Sequence, residues 1–299
     1  MSRYGFIHAE RACYPITILC RVLQVARSAY YAWARRGVSA RAQSDALLAE
    51  QIAAAHTRSR GTYGTPRIQA ALRAAGVRTS RRRVARLMRQ AGLVGCHRRR
   101  RIRTTVVEPT QAPAPNLVAR NFTAPCRDRL WLGASTYVAT EEGWLYLAVL
   151  LDAHSRRVVG WAMADHLRTE LPLDALAMAL RARRPTPGLV HHADRGCQYT
   201  ATAYQARLAA RGMICSMRRS GQCLDNAMAE SFFATRKSEL TAMQRWPTRA
   251  AARTAIFEWI EVFYNRQRRH SALAYRPPAA FEAELLLLPD QAPSSNLST

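Results

Sequence analysis

Residues 130–163 read LWLGASTYVATEEGWLYLAVLLDAHSRRVVGWAM, and this stretch decides the fold. Leu130 to Ala139 is rich in β-branched and aromatic residues. Glu141-Glu142-Gly143 forms a turn, and Trp144 to Asp152 follows as a second strand. A turn at His154-Ser155 leads into a third strand from Arg157 to Met163. Short turns between strands make neighbours antiparallel. Downstream the period changes. Glu170 to Arg184 is an Ala- and Leu-rich helix, and Gly188 to Ala193 is a short buried strand ending at Asp194. Thr200 to Arg211 reads as helix, Met213 to Met217 as strand, and Asp225 to Leu240 and Thr248 to Arg266 as long helices. Three antiparallel strands followed by αβ units predict an α/β fold with a mixed sheet covered by helices.

The 299 residues suffice for two domains. Lys and Arg number 45 against 20 Asp and Glu, a formal net charge of +25, and Lys237 is the single lysine. A GC-rich genome accounts for arginine over lysine but leaves the charge unexplained. That charge points to a polyanionic partner and away from an enzyme of small neutral substrates. The 48% hydrophobic share excludes a disordered basic tail. The longest uninterrupted apolar run, Trp144 to Leu151, is far short of the ~20 residues of a spanning helix, so no membrane partner is expected. Charged residues precede any apolar run at the N-terminus, which does not read as a signal peptide. Seven cysteines with no C-x-x-C spacing read as reduced thiols in a cytoplasmic protein, with no structural zinc.

Charge divides the chain. No acidic residue occurs between Glu50 and Glu108, while Thr57 to Arg103 holds 15 arginines. Residues 1–103 therefore read as an all-α basic region, with a helix-turn-helix at about 44–92. Ser28 and Ser44 are expected helix caps, Thr65-Pro66 starts a further helix, and Thr79 or Ser80 caps Arg81 to Gln90. In that last helix Val84, Leu87 and Met88 face inward. Arg81, Arg82, Arg83, Arg86 and Arg89 are left for DNA, joined by the Arg98-Arg99-Arg100-Arg101 cluster. Residues 104–126, with four prolines, read as a linker, 127–285 as the α/β domain and 286–299 as a flexible tail.

Asp194 ends a strand, where a substrate has room to approach. Glu230 lies on the helix that Asp225-Asn226 is expected to cap, and 35 residues separate the two acids. Carboxylates facing a polyanion need intervening cations, and hard oxygen donors suit Mg²⁺ or Mn²⁺. An isolated Asp and Glu would carry little weight.

The motifs around them carry more. They are Gly143-Trp-Leu-Tyr-Leu-Ala-Val149, Leu151-Asp152 with Ser155-Arg156, Val159-Gly160-Trp161, and His192 before Asp194-Arg195-Gly196. Further on stand Gln198-Tyr199-Thr200, Ser216-Met217, Asp225-Asn226-Ala227, Glu230-Ser231-Phe232-Phe233, Tyr264-Asn265-Arg266 and Arg269-His270-Ser271. With Arg60-Gly-Thr-Tyr63-Gly64 and the Arg83 to Arg89 helix upstream, the chain resembles the second-reading-frame transposases of two-frame bacterial insertion sequences, relatives of retroviral integrases. The resemblance implies an RNase H-like catalytic fold and an Asp-Asp-Glu triad holding two Mg²⁺ or Mn²⁺ ions. It also implies cleavage and strand transfer at the element's terminal inverted repeats and at target DNA. The expected assembly is a homo-multimer that works with the upstream-frame product. Asp194 and Glu230 match the second and third acids, and Lys237, Arg269 and His270 fall along the DNA path.

The first acid does not match. The family writes Trp-x-x-Asp-x-Thr-Tyr, and here Trp131 to Tyr137 places Ala134 at the aspartate position. Ala193, Arg218 and Arg236 are smaller departures. The chain is then an inactivated copy, a non-catalytic DNA-binding remnant or repressor, or an enzyme in which Asp152 takes over. A hairpin centred near residue 142 pairs position 134 with about 150 and puts Asp152 diagonally on the same face. The family already carries an aspartate there beside its own triad, which counts against takeover. A basic RNase H-like nuclease is a third reading, disfavoured by the motifs beyond Glu230.

Overall fold

A computed structural model describes residues 2–37, 39–96, 114–218, 223–240 and 245–287. Six helices lead: α1 Arg3–Glu10, α2 Ile16–Val22, α3 Arg27–Arg35, α4 Ala40–Arg58, α5 Thr65–Ala74 and α6 Arg81–Gln90. The α/β part follows in the order β1 Leu130–Thr140, β2 Gly143–Asp152, β3 Val158–Ala164, α7 Glu170–Arg183 and β4 Val190–Ala193. It continues with α8 Cys197–Thr200, α9 Thr202–Ala209, β5 Ile214–Met217, α10 Ala227–Glu239, α11 Arg249–Glu258 and α12 Pro278–Leu287. Among the described residues no helix is long and apolar enough to cross a membrane. Arg98 to Arg101 and most of the tail lie outside the described residues.

The five strands form one sheet in the order β3-β2-β1-β4-β5. β1, β2 and β3 are antiparallel neighbours, while β4 and β5 run parallel to β1. The mixed α/β sheet expected from the strand order is present. Alternation along β1 and β2 splits the core. Leu132, Ala134, Leu147 and Val149 face α10 and α11, and Trp131, Ala148 and Leu150 face α7 and α9. Gly160 explains its motif: a methyl there would stand 2.7 Å from the Ala179 Cβ and 2.9 Å from the Ala179 nitrogen, so only glycine lets α7 lie this close to β3.

Helices α4, α5 and α6 bury Leu48, Ile52, Ile68, Leu72, Val84 and Leu87 in the same core that backs the sheet. Tyr63 clamps the junction, its hydroxyl donating to the Gln267 carbonyl (3.3 Å) and accepting from the Arg269 amide (2.8 Å). Helices α1 to α3 keep a small core of their own around Ile7, Leu19, Cys20 and Tyr30.

Several local expectations are corrected. Ser39, not Ser44, caps α4 by accepting from the Ala42 amide (3.2 Å). Ser28 lies inside α3, which starts after Ala26, and Thr65 follows the capping position held by Gly64. Ser80 does cap α6. The helix expected over 248–266 is capped by Thr248, ends as α-helix at Glu258 and widens into a π-helical turn over Trp259–Tyr264. Residues 114–126, read as linker, are strapped to the sheet domain. Pro115 accepts from the Met217 amide (3.3 Å) and Leu117 donates to the Ser216 hydroxyl (3.0 Å).

Fully buried His191 and half-buried His270 make stability depend on pH. His191 of β4 fits against Gly133, where a Cβ would stand 2.9 Å from its Nε2, and shares a 3.0 Å hydrogen bond with the Tyr204 hydroxyl. Burial, reinforced by neighbouring His192, pushes His191 down to about 3, and burial beside Arg268 and Arg67 pushes His270 down to about 2. Both stay neutral in the folded state while the unfolded chain protonates near pH 6.5. Stability is therefore full above that value and falls as pH drops, each site costing about 1.4 kcal/mol per pH unit. Chemical denaturation from pH 7 to 5 should show this slope, and His191→Gln should remove one histidine's share. An unchanged slope in that variant refutes the assignment.

Candidate active site

The site is built where β4 stops. Leu130, Trp131 and Leu132 pair in parallel with Val190, His191 and His192. The same register, run on past the paired residues, points Ala134 toward Asp194, which lies just past the end of β4. Beyond Leu132 the edge of β1 is no longer covered by β4. There the Gly133 carbonyl accepts a hydrogen bond from Asn226 Nδ2 (3.2 Å), the residue that precedes α10. Farther on, Lys237 Nζ stands 5.8 Å from the centre of the Tyr137 ring. These two contacts lay α10 along β1. One helical turn from Asn226 advances ~6 Å, about two strand residues, so Glu230 is level with Ala134 and Ser135. The β1–β4 pairing and the course of α10 along β1 thus direct position 134, Asp194 and Glu230 toward the same end of the sheet. Asp194 is half-buried, its Oδ1 accepting from the Gly196 amide (3.1 Å), and Glu230 is exposed. Ala134 is 6% exposed and its methyl belongs to the apolar core.

Asp152 is not on that face. Ala134 pairs with Val149, and Asp152 pairs with Trp131, whose side chain points to the opposite side. Asp152 is fully buried. Its Oδ2 accepts from the Asp128 amide (2.7 Å), and its Oδ1 accepts from the His154 amide (3.0 Å) and from the amide and hydroxyl of Ser155 (2.8 and 3.0 Å). It clasps the turn after β2 and has no path to the site.

The expected capping of α10 by Asp225 and Asn226 is corrected, since neither side chain caps it. Asn226 reaches β1 instead, and fully buried Asp225 accepts from Asn116 Nδ2 (2.7 Å) and Arg120 Nε (3.0 Å) of the strap. His192 spans the same junction. Its Nε2 donates to the Asp225 carbonyl (2.8 Å), so Nδ1 accepts from the Ser216 hydroxyl (2.8 Å). Burial lowers its pKa and keeps this neutral form. Sequence reasoning missed Asn116 and Arg120, because a segment held by side-chain hydrogen bonds has no periodicity to detect.

The expected DNA-contacting residues divide. Arg81, Arg82 and Arg89 are exposed on α6. Arg83 and Arg86 are half-buried and turned back to Asp45, with Arg83 Nε to Oδ1 at 2.7 Å and Arg86 Nη2 to Oδ2 at 2.6 Å. Arg86 and Arg83 hold the Asp45 carboxyl below the usual range. Arg269 Nη1 donates to the Tyr275 carbonyl (3.0 Å), and His270 shares a 3.2 Å hydrogen bond with Arg268. Lys237 is half-buried. Arg236 is fully buried, and burial lowers its guanidinium to about 10.

Asp194 and Glu230 carry hard carboxylate oxygens of the kind Mg²⁺ or Mn²⁺ takes, and the methyl of Ala134 carries none. Among the described residues no group of three or more His, Cys, Asp and Glu side chains is arranged to hold a metal ion.

Family models match three segments: an HTH-like domain over residues 42–101, and an integrase core domain over 124–223 and again over 211–278. A 31 kDa protein of insertion element IS600 from Shigella sonnei is 44% identical over 88% of this chain and 97% of its own length. The transposase InsF of insertion sequence IS3A from Escherichia coli is 38% identical over 94% of this chain and 98% of its own. The transposase of IS904 from Lactococcus lactis is 40% identical over 79% and 93%. The magnesium-bound HTLV-2 integrase catalytic core is 13% identical, with a TM-score of 0.42, covering 54% of this chain and 99% of that one. The chain belongs to the IS3-type insertion-sequence transposases, enzymes of the polynucleotidyl transferase class with an HTH-like region and an integrase core.

Proposed function

We propose that this chain binds the ends of its element through the α4–α6 region and presents them to a site whose chemistry is crippled at position 134. The observation that supports this reading is the parallel pairing of β1 with β4 through Leu132 and His192, from which the two strands run on toward Ala134 and Asp194. Asp194 and Glu230 would hold a Mg²⁺ or Mn²⁺ ion. When two such ions are bound in a site of this kind, they activate the attacking hydroxyl and steady the leaving oxygen. Position 134 supplies no oxygen to share between them. The chain's own groups do the rest. Exposed Arg81, Arg82 and Arg89 neutralise backbone phosphates, and the Tyr63 clamp fixes the DNA-binding helices against the sheet domain. Element ends and target are double-stranded DNA, and the working assembly is a multimer with the upstream-frame product.

Removing a ligand shared by two metals costs on the order of 10³-fold or more in rate. With Mg²⁺, cleavage of terminal-repeat duplex by the unaltered chain should be near background, and Ala134→Asp should raise it sharply. Strong cleavage by the unaltered chain contradicts the proposal. No gain in Ala134→Asp, with duplex binding intact, favours a non-catalytic DNA-binding remnant or repressor.

The grip on DNA has a separate test. Combined Arg81→Ala, Arg82→Ala and Arg89→Ala should weaken duplex binding and flatten the plot of log affinity against log salt by about 0.9 for each phosphate no longer neutralised. An unchanged salt slope would place the DNA elsewhere than on α6.

A further inference from the structure

A cavity of about 150 Å³ lies between α5, α10, the turn after β2 and the segment that follows the π-helical turn. Its cationic lining comes from Arg67, Arg156 and Arg268, joined by neutral His270 and the hydroxyls of Ser231 and Ser271. We propose that this cavity is an oxyanion site that takes a single tetrahedral phosphate group.

Three guanidiniums converge there. The carboxylate beside them, Glu239, is paired in bidentate fashion with Arg268 at 2.8 and 2.7 Å and lies 3.8 Å from Arg67 Nη1. Arg67 Nε donates to the Arg269 carbonyl (3.2 Å). Arg156 is the telling member. Among the described residues no hydrogen bond or ion pair is made to its half-buried guanidinium, and its backbone sits at φ +61°, a left-handed conformation uncommon for arginine. That conformation is held by the Asp152 clasp and by the Tyr264 hydroxyl, which donates to the Arg156 carbonyl (3.1 Å). The nearer face of Asp152 is already occupied by the turn amides and the Ser155 hydroxyl. Burial lowers the pKa of both Arg67 and Arg156, with Arg268 adding repulsion at Arg67. An oxyanion relieves this crowding, and guanidinium forks match the oxygens of phosphate.

The site is separate from the acid pair. Residues Met228, Ser231, Phe232 and Thr235 turn one face of α10 to the cavity, whereas Glu230 is exposed on another. Arg67 comes from the DNA-binding helices and the other cations from the sheet domain and its C-terminal extension, so an occupant fastens the two together. The inference does not depend on the missing acid at position 134. Two sources offer this chemistry, a backbone phosphodiester of bound DNA and a free small phosphate.

The test uses the full chain and inorganic phosphate, with chloride at equal ionic strength as the reference. Phosphate should raise the thermal midpoint by several degrees more than chloride does. Arg156→Ala should lose that excess. Arg67→Gln serves as the second variant and should lose it as well. If phosphate also displaces a labelled element-end duplex and Arg156→Ala weakens duplex binding several-fold, the occupant is the DNA backbone. If the phosphate excess is present while duplex affinity is unaffected by either, the occupant is a free small phosphate. Equal midpoints in phosphate and chloride, or the same phosphate excess in the unaltered chain and both variants, would overturn the proposal.

Discussion

The parallel pairing of β1 with β4, and its end at Leu132 and His192, is the constraint on which the site depends. While the two strands pair, they set a common register that runs on toward position 134 and Asp194. Where they part, the Gly133 carbonyl is left for Asn226, and α10 takes its place along the uncovered edge. A slip of one residue would turn Ala134 to the other face and part it from Asp194. His192 secures the end of the pairing by bonding Ser216 of β5 on one side and the Asp225 carbonyl on the other. Backbone pairing and one buried histidine therefore fix the end of β4 and the start of α10, the two elements that carry Asp194 and Glu230.

The helices of the HTH-like region are not a separate bead on the chain. Their apolar faces complete the core that backs the sheet, and Tyr63 spans the seam with two hydrogen bonds. Much of the positive charge in this region is also used internally. Arg83 and Arg86 hold Asp45, and Arg67 serves the Arg269 carbonyl and the polar cavity, which leaves Arg81, Arg82 and Arg89 facing outward on α6. A large formal charge thus divides into a structural share and a share available to a polyanion.

The strands were legible because short turns bound near-continuous apolar runs, and β1 to β3 are displaced from their expected bounds by no more than one residue. The face of Asp152 was not. The hairpin turns through Glu141 and Glu142, with Thr140 opposite Gly143, so its centre falls between residues rather than on residue 142. That half-residue difference moves the partner of Ala134 from 150 to Val149 and reverses the parity of every cross-strand neighbour. Caps failed for a related reason. Ser39 and Ser44 have the same capping chemistry, so residue type alone does not choose between them, and Ser39 holds the cap. The strap at 114–126 and the roles of Asp225 and Asn226 had no signature, because single side-chain hydrogen bonds to distant segments leave no pattern in the chain. The acids themselves were legible only through the family motifs around them.

The central claim is that position 134 faces the same cation as Asp194 and Glu230. Thermal unfolding of the unaltered chain and of Ala134→Asp, each with millimolar Mg²⁺ and with chelator, tests it without any need for catalysis. A third carboxylate raises repulsion without metal and affinity with it. The account predicts a small Mg²⁺-induced shift for the unaltered chain and a clearly larger one for Ala134→Asp. Equal shifts in the two proteins would show that position 134 does not face the cation and would contradict the account.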